Sequence, residues 1–92
     1  MPPGPVRNYT FTEHALFEMK RRRLDEHLIR SVLAEPEQEL QIRPGRIVVQ
    51  SKVPMDQPPK TYLVRVCVDV DRDPAEVVTV YRTSNISKYW KG

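Results

Sequence analysis

Residues 61–70 read Thr61-Tyr62-Leu63-Val64-Arg65-Val66-Cys67-Val68-Asp69-Val70. Tyr62, Val64, Val66, Val68 and Val70 alternate with Leu63, Arg65, Cys67 and Asp69, the period-two pattern of a strand. This is the strongest strand signal in the chain, and the second half organises around it. Downstream, Asp71-Arg72-Asp73-Pro74 is a turn cluster, and residues 76–82 return as a strand with Val77, Thr79 and Tyr81 opposing Val78 and Val80. Upstream, residues 39–43 and 46–53 read as two strands joined by Arg43-Pro44-Gly45-Arg46. That tetrapeptide suits a type II turn, with proline in the second position and glycine supplying positive φ in the third.

The first half has a helical period. Thr12 is placed to cap a helix, Glu13 suits the positive end of its dipole, and Phe11 is placed to staple onto Leu16. Phe11, Ala15, Leu16 and Met19 form its apolar stripe, and Lys20-Arg21-Arg22-Arg23 closes it. Asp25 caps a second helix carrying Leu28, Ile29, Val32 and Leu33, which Pro36 stops. The expected architecture is α+β: an N-terminal helical hairpin packed on a four-stranded antiparallel sheet, in a single domain over residues 9–92. Residues 1–8, with three prolines and a glycine in the first five positions, are expected to be a flexible leader. Residues 83–91 are expected to form a tail of weak structure.

At 92 residues the chain has room for one core. Hydrophobic residues make up 39%, and no apolar run approaches the ~20 residues of a membrane span. The single Cys67 excludes a disulfide scaffold and a thiolate zinc site, and a small apolar role in a strand is expected for it. The N-terminus lacks an apolar signal core, so a cytoplasmic protein is expected. Neither a metal nor a cofactor is expected. Fifteen Lys and Arg against 12 Asp and Glu give a net charge of +3, and the charge is unevenly placed. Residues 77–92 contain Arg82, Lys88 and Lys91 and no acid. Such cationic stretches are the footprint of polyanion binding.

Several residues have side chains suited to chemistry on a phosphate. His14 falls off the apolar stripe and has the imidazole best matched to proton transfer near neutrality. Arg65 is a charge inside a valine-rich strand, so either its face is open to solvent or it pairs with an anion. Tyr81, Arg82, Lys88, Tyr89 and Trp90 mix phenols, cations and stacking surfaces. Together such groups can cleave a phosphodiester without metal, through deprotonation of a ribose 2′-hydroxyl, stabilisation of the phosphorane and protonation of the leaving oxygen. The expected catalytic set is His14, Tyr81, Arg65 and Lys88. The expected nucleic-acid contacts are Arg22, Arg23, Arg46, Arg82 and Tyr89.

The pattern of His14-Ala15, Met19, Arg22 and Leu24, an acidic cap, Leu33-x-x-Pro36 and Gly45-Arg46 resembles that of the domain of unknown function 4258. Val78-Thr79-Val80-Tyr81-Arg82-Thr83 and Lys88-Tyr89-Trp90 resemble that family's closing motif, and the resemblance spans about residues 9–91. His14, Arg46, Tyr81, Arg82, Lys88 and Tyr89 fall on its motif positions. The family is similar in size and element order to RelE/ParE-like toxins of bacterial toxin–antitoxin systems. That similarity implies two helices on an antiparallel sheet. It also implies messenger RNA cleavage without metal or, in other members, gyrase inhibition. Two departures stand out: Glu18 replaces a common arginine, and Arg23 replaces a common glycine after the first helix. The resulting expectation is an endoribonuclease toxin with RNA or the ribosome and a cognate antitoxin as partners. The alternative is a non-catalytic RNA-, DNA- or protein-binding module of the same fold. A homodimer through an exposed strand edge is a further expectation.

Overall fold

The computed structural model describes residues 6–92. Its elements are β1 (Tyr9–Phe11), α1 (Glu13–Arg21), α2 (Glu26–Ala34), β2 (Gln38–Arg43), β3 (Arg46–Met55), β4 (Lys60–Asp69), β5 (Ala75–Thr83) and α3 (Ile86–Tyr89). The strands form one sheet in the order β1-β5-β4-β3-β2. β2 to β5 make an antiparallel meander. β1 lies parallel to β5, with Tyr9 opposite Ala75 and Phe11 opposite Val77.

The expected four-stranded antiparallel sheet under a helical hairpin is therefore corrected to a five-stranded mixed sheet with three short helices. Residues 9–11 are too few to establish a period, and a parallel partner leaves no hairpin turn in the sequence to announce it. The helices also pack independently. α1 lies along β5, and α2 lies over β3 and β4. Residues 6–8 are tied to this frame: Val6 N–H donates to the Leu33 carbonyl (2.9 Å) and the Asn8 amide donates to Asp73 (2.8 Å). The rest of the expected leader, residues 1–5, lies outside the described residues.

Local signals explain the helix ends. The Thr12 hydroxyl accepts from Ala15 N–H (3.1 Å), and the Asp25 carboxylate accepts from His27 N–H (2.7 Å). At the C-terminus of α1, Leu24 N–H donates to Met19 O (2.8 Å) and Arg23 N–H to Lys20 O (3.2 Å). This is the Schellman arrangement, sealed by apolar Leu24 and Met19, both buried. It needs a left-handed residue, and Arg23 takes that conformation with φ 55°. A non-glycine residue there costs roughly 1–2 kcal/mol. The 43–46 turn uses the same region without cost, at Gly45 with φ 84°.

The main core lies between the sheet and α1 and α2. Val64, Val66 and Val68 of β4, Val77 and Val80 of β5, and Ile29, Val32 and Leu33 of α2 are all buried there. α1 contributes Ala15 and Met19, and Phe11 packs against the same cluster, whereas Leu16 is 46% exposed and lies outside it. Glu18 takes the inward position and is buried beneath Arg21 and Arg22. The opposite face of β4 carries Leu63, Arg65 and Cys67, and the 83–91 segment is held over it as α3 rather than left as a loose tail.

The cap analysis yields a stability prediction. Thr12→Ala lowers unfolding free energy by about 1 kcal/mol, and Thr12→Ser largely retains it. Urea midpoints for the two variants test this, and equal midpoints would refute a capping role for the hydroxyl.

Candidate anion-binding site

The strand registers build the site. Gln38 of β2 stands opposite Gln50 of β3, Gln50 opposite Arg65 of β4, and Arg65 opposite Tyr81 of β5. Directly opposed residues share a face, so these four form a polar row across the sheet on the side away from α1 and α2. Hydrogen bonds run along it. The Gln50 amide nitrogen donates to Gln38 Oε1 (2.7 Å), Arg65 Nε donates to Gln50 Oε1 (2.8 Å), and Arg65 Nη1 donates to the Tyr81 hydroxyl oxygen.

α3 closes the row. The Gln50 amide nitrogen also donates to the Tyr89 carbonyl (3.2 Å), and Lys91 N–H donates to Gln38 Oε1 (3.1 Å). These bonds set the Tyr89 ring 4.3 Å from the Arg65 guanidinium carbon and edge-on to Tyr81 at 6.3 Å between centroids. Lys88 Nζ lies 5.3 Å from the Tyr89 ring, and Lys52 Nζ lies 4.0 Å from that of Trp90.

The electrostatics follow from what surrounds Arg65. It is half-buried on a central strand, and no carboxylate among the described residues pairs with it. Its partners are a neutral amide, a phenol and an aromatic face. They fix the plane of the guanidinium and leave its charge uncompensated. Because Tyr81 accepts from Arg65, its own O–H points elsewhere and is available as a donor. Such a constellation can hold an oxyanion and donate a proton beside it.

Three of the expected site residues, Arg65, Tyr81 and Tyr89, are thus brought into contact, with Lys88 adjoining. The others lie elsewhere. Arg82 follows Tyr81 on β5 and so faces the helix side, opposite Val64. There it lines a groove with Arg22 and Arg23. Arg46 is paired with buried Asp69, Nε to Oδ1 at 2.5 Å and Nη2 to Oδ2 at 3.0 Å. His14 is exposed on the first turn of α1, a turn anchored by Thr12 N–H to the Val77 carbonyl (3.1 Å). It therefore sits on the helix side, away from Tyr81. Burial pushes the Cys67 thiol up, which leaves it a packing residue.

Gln38 and Gln50 were not among the expected site residues. Gln50 is fully buried directly after the apolar run Ile47-Val48-Val49. A buried amide demands partners, but naming Arg65 as one requires the β3–β4 register. Among the described residues, no group of three or more His, Cys, Asp or Glu is gathered as metal ligands. No described helix is long and apolar enough to cross a membrane.

A small mixed-sheet α+β domain with a cation–phenol row on one face is the class that this geometry defines. Residues 11–82 match the family described as Domain of unknown function (DUF4258), and the chain belongs to that family. The match holds Arg65 and Tyr81 and stops before Lys88, Tyr89 and Trp90. No curated protein matches the chain, and no solved structure does.

The Arg46–Asp69 pair sets a pH dependence. The Arg46 guanidinium holds the Asp69 carboxyl below its ordinary value. A depressed carboxyl stabilises the fold above its unfolded pKa of ~3.9, and that contribution is lost as pH falls through the folded value. Stability of the wild type should fall below pH ~4, and Asp69→Asn should flatten that acid limb while lowering stability at pH 7. Urea unfolding across the acid range checks this; an unchanged acid slope in the variant would refute it.

Proposed function

We propose that the row binds the phosphate of an RNA strand and that the protein is a metal-independent endoribonuclease of the toxin type. The observation that carries this reading is Arg65. Its guanidinium is held on three sides by Gln50, Tyr81 and Tyr89, and no described carboxylate neutralises it. An oxyanion held there lies beside the free O–H of Tyr81.

The chemistry is a transesterification. The ribose 2′-oxygen attacks phosphorus, the bond to the 5′-oxygen breaks, and a 2′,3′-cyclic phosphate and a 5′-hydroxyl result. Arg65 stabilises the negative charge that grows on the non-bridging oxygens. Tyr81, whose oxygen accepts from Arg65 and whose O–H is left to donate, protonates the departing 5′-oxygen. Lys88 adds a second positive charge, and Tyr89 offers a stacking face to a base. The 2′-hydroxyl proton passes to water or to a phosphate oxygen, since the row holds no imidazole or carboxylate among the described residues.

That missing base favours one second reading, in which the row holds RNA without cleaving it. The two separate cleanly. In the first, incubation with RNA and ribosomes yields 2′,3′-cyclic phosphate ends, and inducible expression arrests growth. Tyr81→Phe then slows cleavage by roughly 10²-fold, and Arg65→Lys, which lacks the rigid planar fork of the guanidinium, does so at least as severely. Circular dichroism confirms that each variant remains folded. Salt-sensitive binding with no product would select the second reading. Absence of binding, product and growth arrest would overturn both.

A further inference from the structure

On the helix side of the sheet, at the C-terminal end of α1, lies a groove of about 610 Å³. Arg21, Arg22 and Arg23 line one wall, and Arg82, Tyr62 and Thr83 line the other. Four guanidiniums meet there. Glu18 pairs with Arg21 at 2.8 Å and stands 3.5 Å from Arg22, and Asp56 stands 3.6 Å from Arg82. Two carboxylates thus face four cations, and two positive charges are left over.

Three further features indicate that the surplus has a use. Arg22 Nε is buried and makes no hydrogen bond, its nearest acid being Glu18 Oε2 at 3.5 Å, although buried donors are normally satisfied. The Arg23 side chain makes no hydrogen bond or ion pair among the described residues, yet it occupies the left-handed position of the helix stop, where glycine is free of strain. The chain therefore gives up stability at a site where the side chain has no intramolecular role. Strain of this kind persists where function needs the residue. Finally, Arg82 is already oriented, its guanidinium 4.8 Å from the Tyr62 ring, with the Tyr62 hydroxyl bonded to Asp56 at 2.8 Å.

We infer that this groove is a second anion site, built for two or more adjacent phosphate groups. One forked guanidinium engages two oxygens of a single phosphate. Three consecutive arginines facing a fourth across an open groove match charges spaced along a chain. The ligand is an oligophosphate, carried by a nucleic-acid strand or by a free chain of phosphates. Arg82 and Tyr81 are neighbours on β5 that face opposite sides of the sheet, so this site is separate from the Arg65 row and does not depend on cleavage there.

The test uses the full chain with inorganic tripolyphosphate as the calorimetric probe and a fluorescent eight-nucleotide RNA as competitor. Arg23→Gly is the informative variant because its two effects run in opposite directions. It should raise the thermal midpoint by roughly 5 °C, by removing left-handed strain, and weaken tripolyphosphate binding about tenfold. Arg82→Gln should weaken binding on the other wall, and Arg23→Lys should restore part of it. RNA that displaces tripolyphosphate identifies the strand as the source. Tripolyphosphate binding that RNA does not displace assigns the site to free oligophosphates. Wild-type protein that does not bind tripolyphosphate, or an Arg23→Gly variant that binds it as tightly as wild type, would overturn the inference. Cleavage is assayed separately through Tyr81→Phe, so failure of one site is distinguishable from failure of the other.

Discussion

A guanidinium in the middle strand of a sheet has to be solvated by its neighbours. Arg65 sits on β4, which has strands on both sides and a buried core beneath it. Leaving such a charge without hydrogen bonds costs more than any one packing contact gains. The rest of that face answers this requirement. Gln50 cannot be apolar, because its amide oxygen accepts from Arg65 and its amide nitrogen carries the chain of bonds to Gln38 and to Tyr89. Tyr81 cannot be phenylalanine without leaving Nη1 unpaired. The position of α3 follows from the same network, since Gln50 and Gln38 supply the bonds that hold it. One charged side chain therefore sets the identity of residues on β2, β3 and β5 and the path of the last described segment.

The other face solves the opposite problem. Val64, Val66, Val68, Val77 and Val80 offer no polar groups, and α1 and α2 cover them. Only at the end of α1 do charges collect, where Glu18 lies buried beneath Arg21 and Arg22. The Arg21 hydrogen bond holds the Glu18 carboxyl below its ordinary value, so it remains an anion within the arginine cluster. The net charge of +3 conceals this arrangement. Acids at residues 69, 71, 73 and 76 gather at the β4–β5 turn, where Arg46 and Arg72 are spent on them. Uncompensated cations stay at Arg65 on one face and at the end of α1 on the other.

Much of the meander could be read from residues alone. Period-two alternation places β4 within one residue of its observed bounds, Thr12 and Asp25 act as caps, and Gly45 takes positive φ in its turn. β1 escapes because three residues paired in parallel leave neither a period nor a turn. α3 escapes because its position rests on amides of Gln38 and Gln50 and not on an apolar stripe of its own. The candidate site was legible in part. Arg65, Tyr81 and Tyr89 stand out as a charge in a strand and as phenols near a basic end, but their meeting depends on registers that composition does not reveal. Tyr81 and Arg82 are consecutive on a strand, so they face opposite sides of the sheet.

The way α3 is held bears on how the row could act on a ligand. Gln50 binds the carbonyl of Tyr89 and Gln38 binds the backbone N–H of Lys91, so the tail is anchored through its main chain. Its side chains are left out of that anchoring. Tyr89 is then free to stack on Arg65, while Lys88 and Lys91 project cations around it. A tail fixed by its own apolar side chains would have consumed those groups in packing. Anchoring through amides separates holding the segment from presenting its chemistry. It also joins the two, because Gln50 serves both: the amide that accepts from Arg65 is the one that donates to the Tyr89 carbonyl. The orientation of the guanidinium and the placement of the ring above it are set by a single buried side chain.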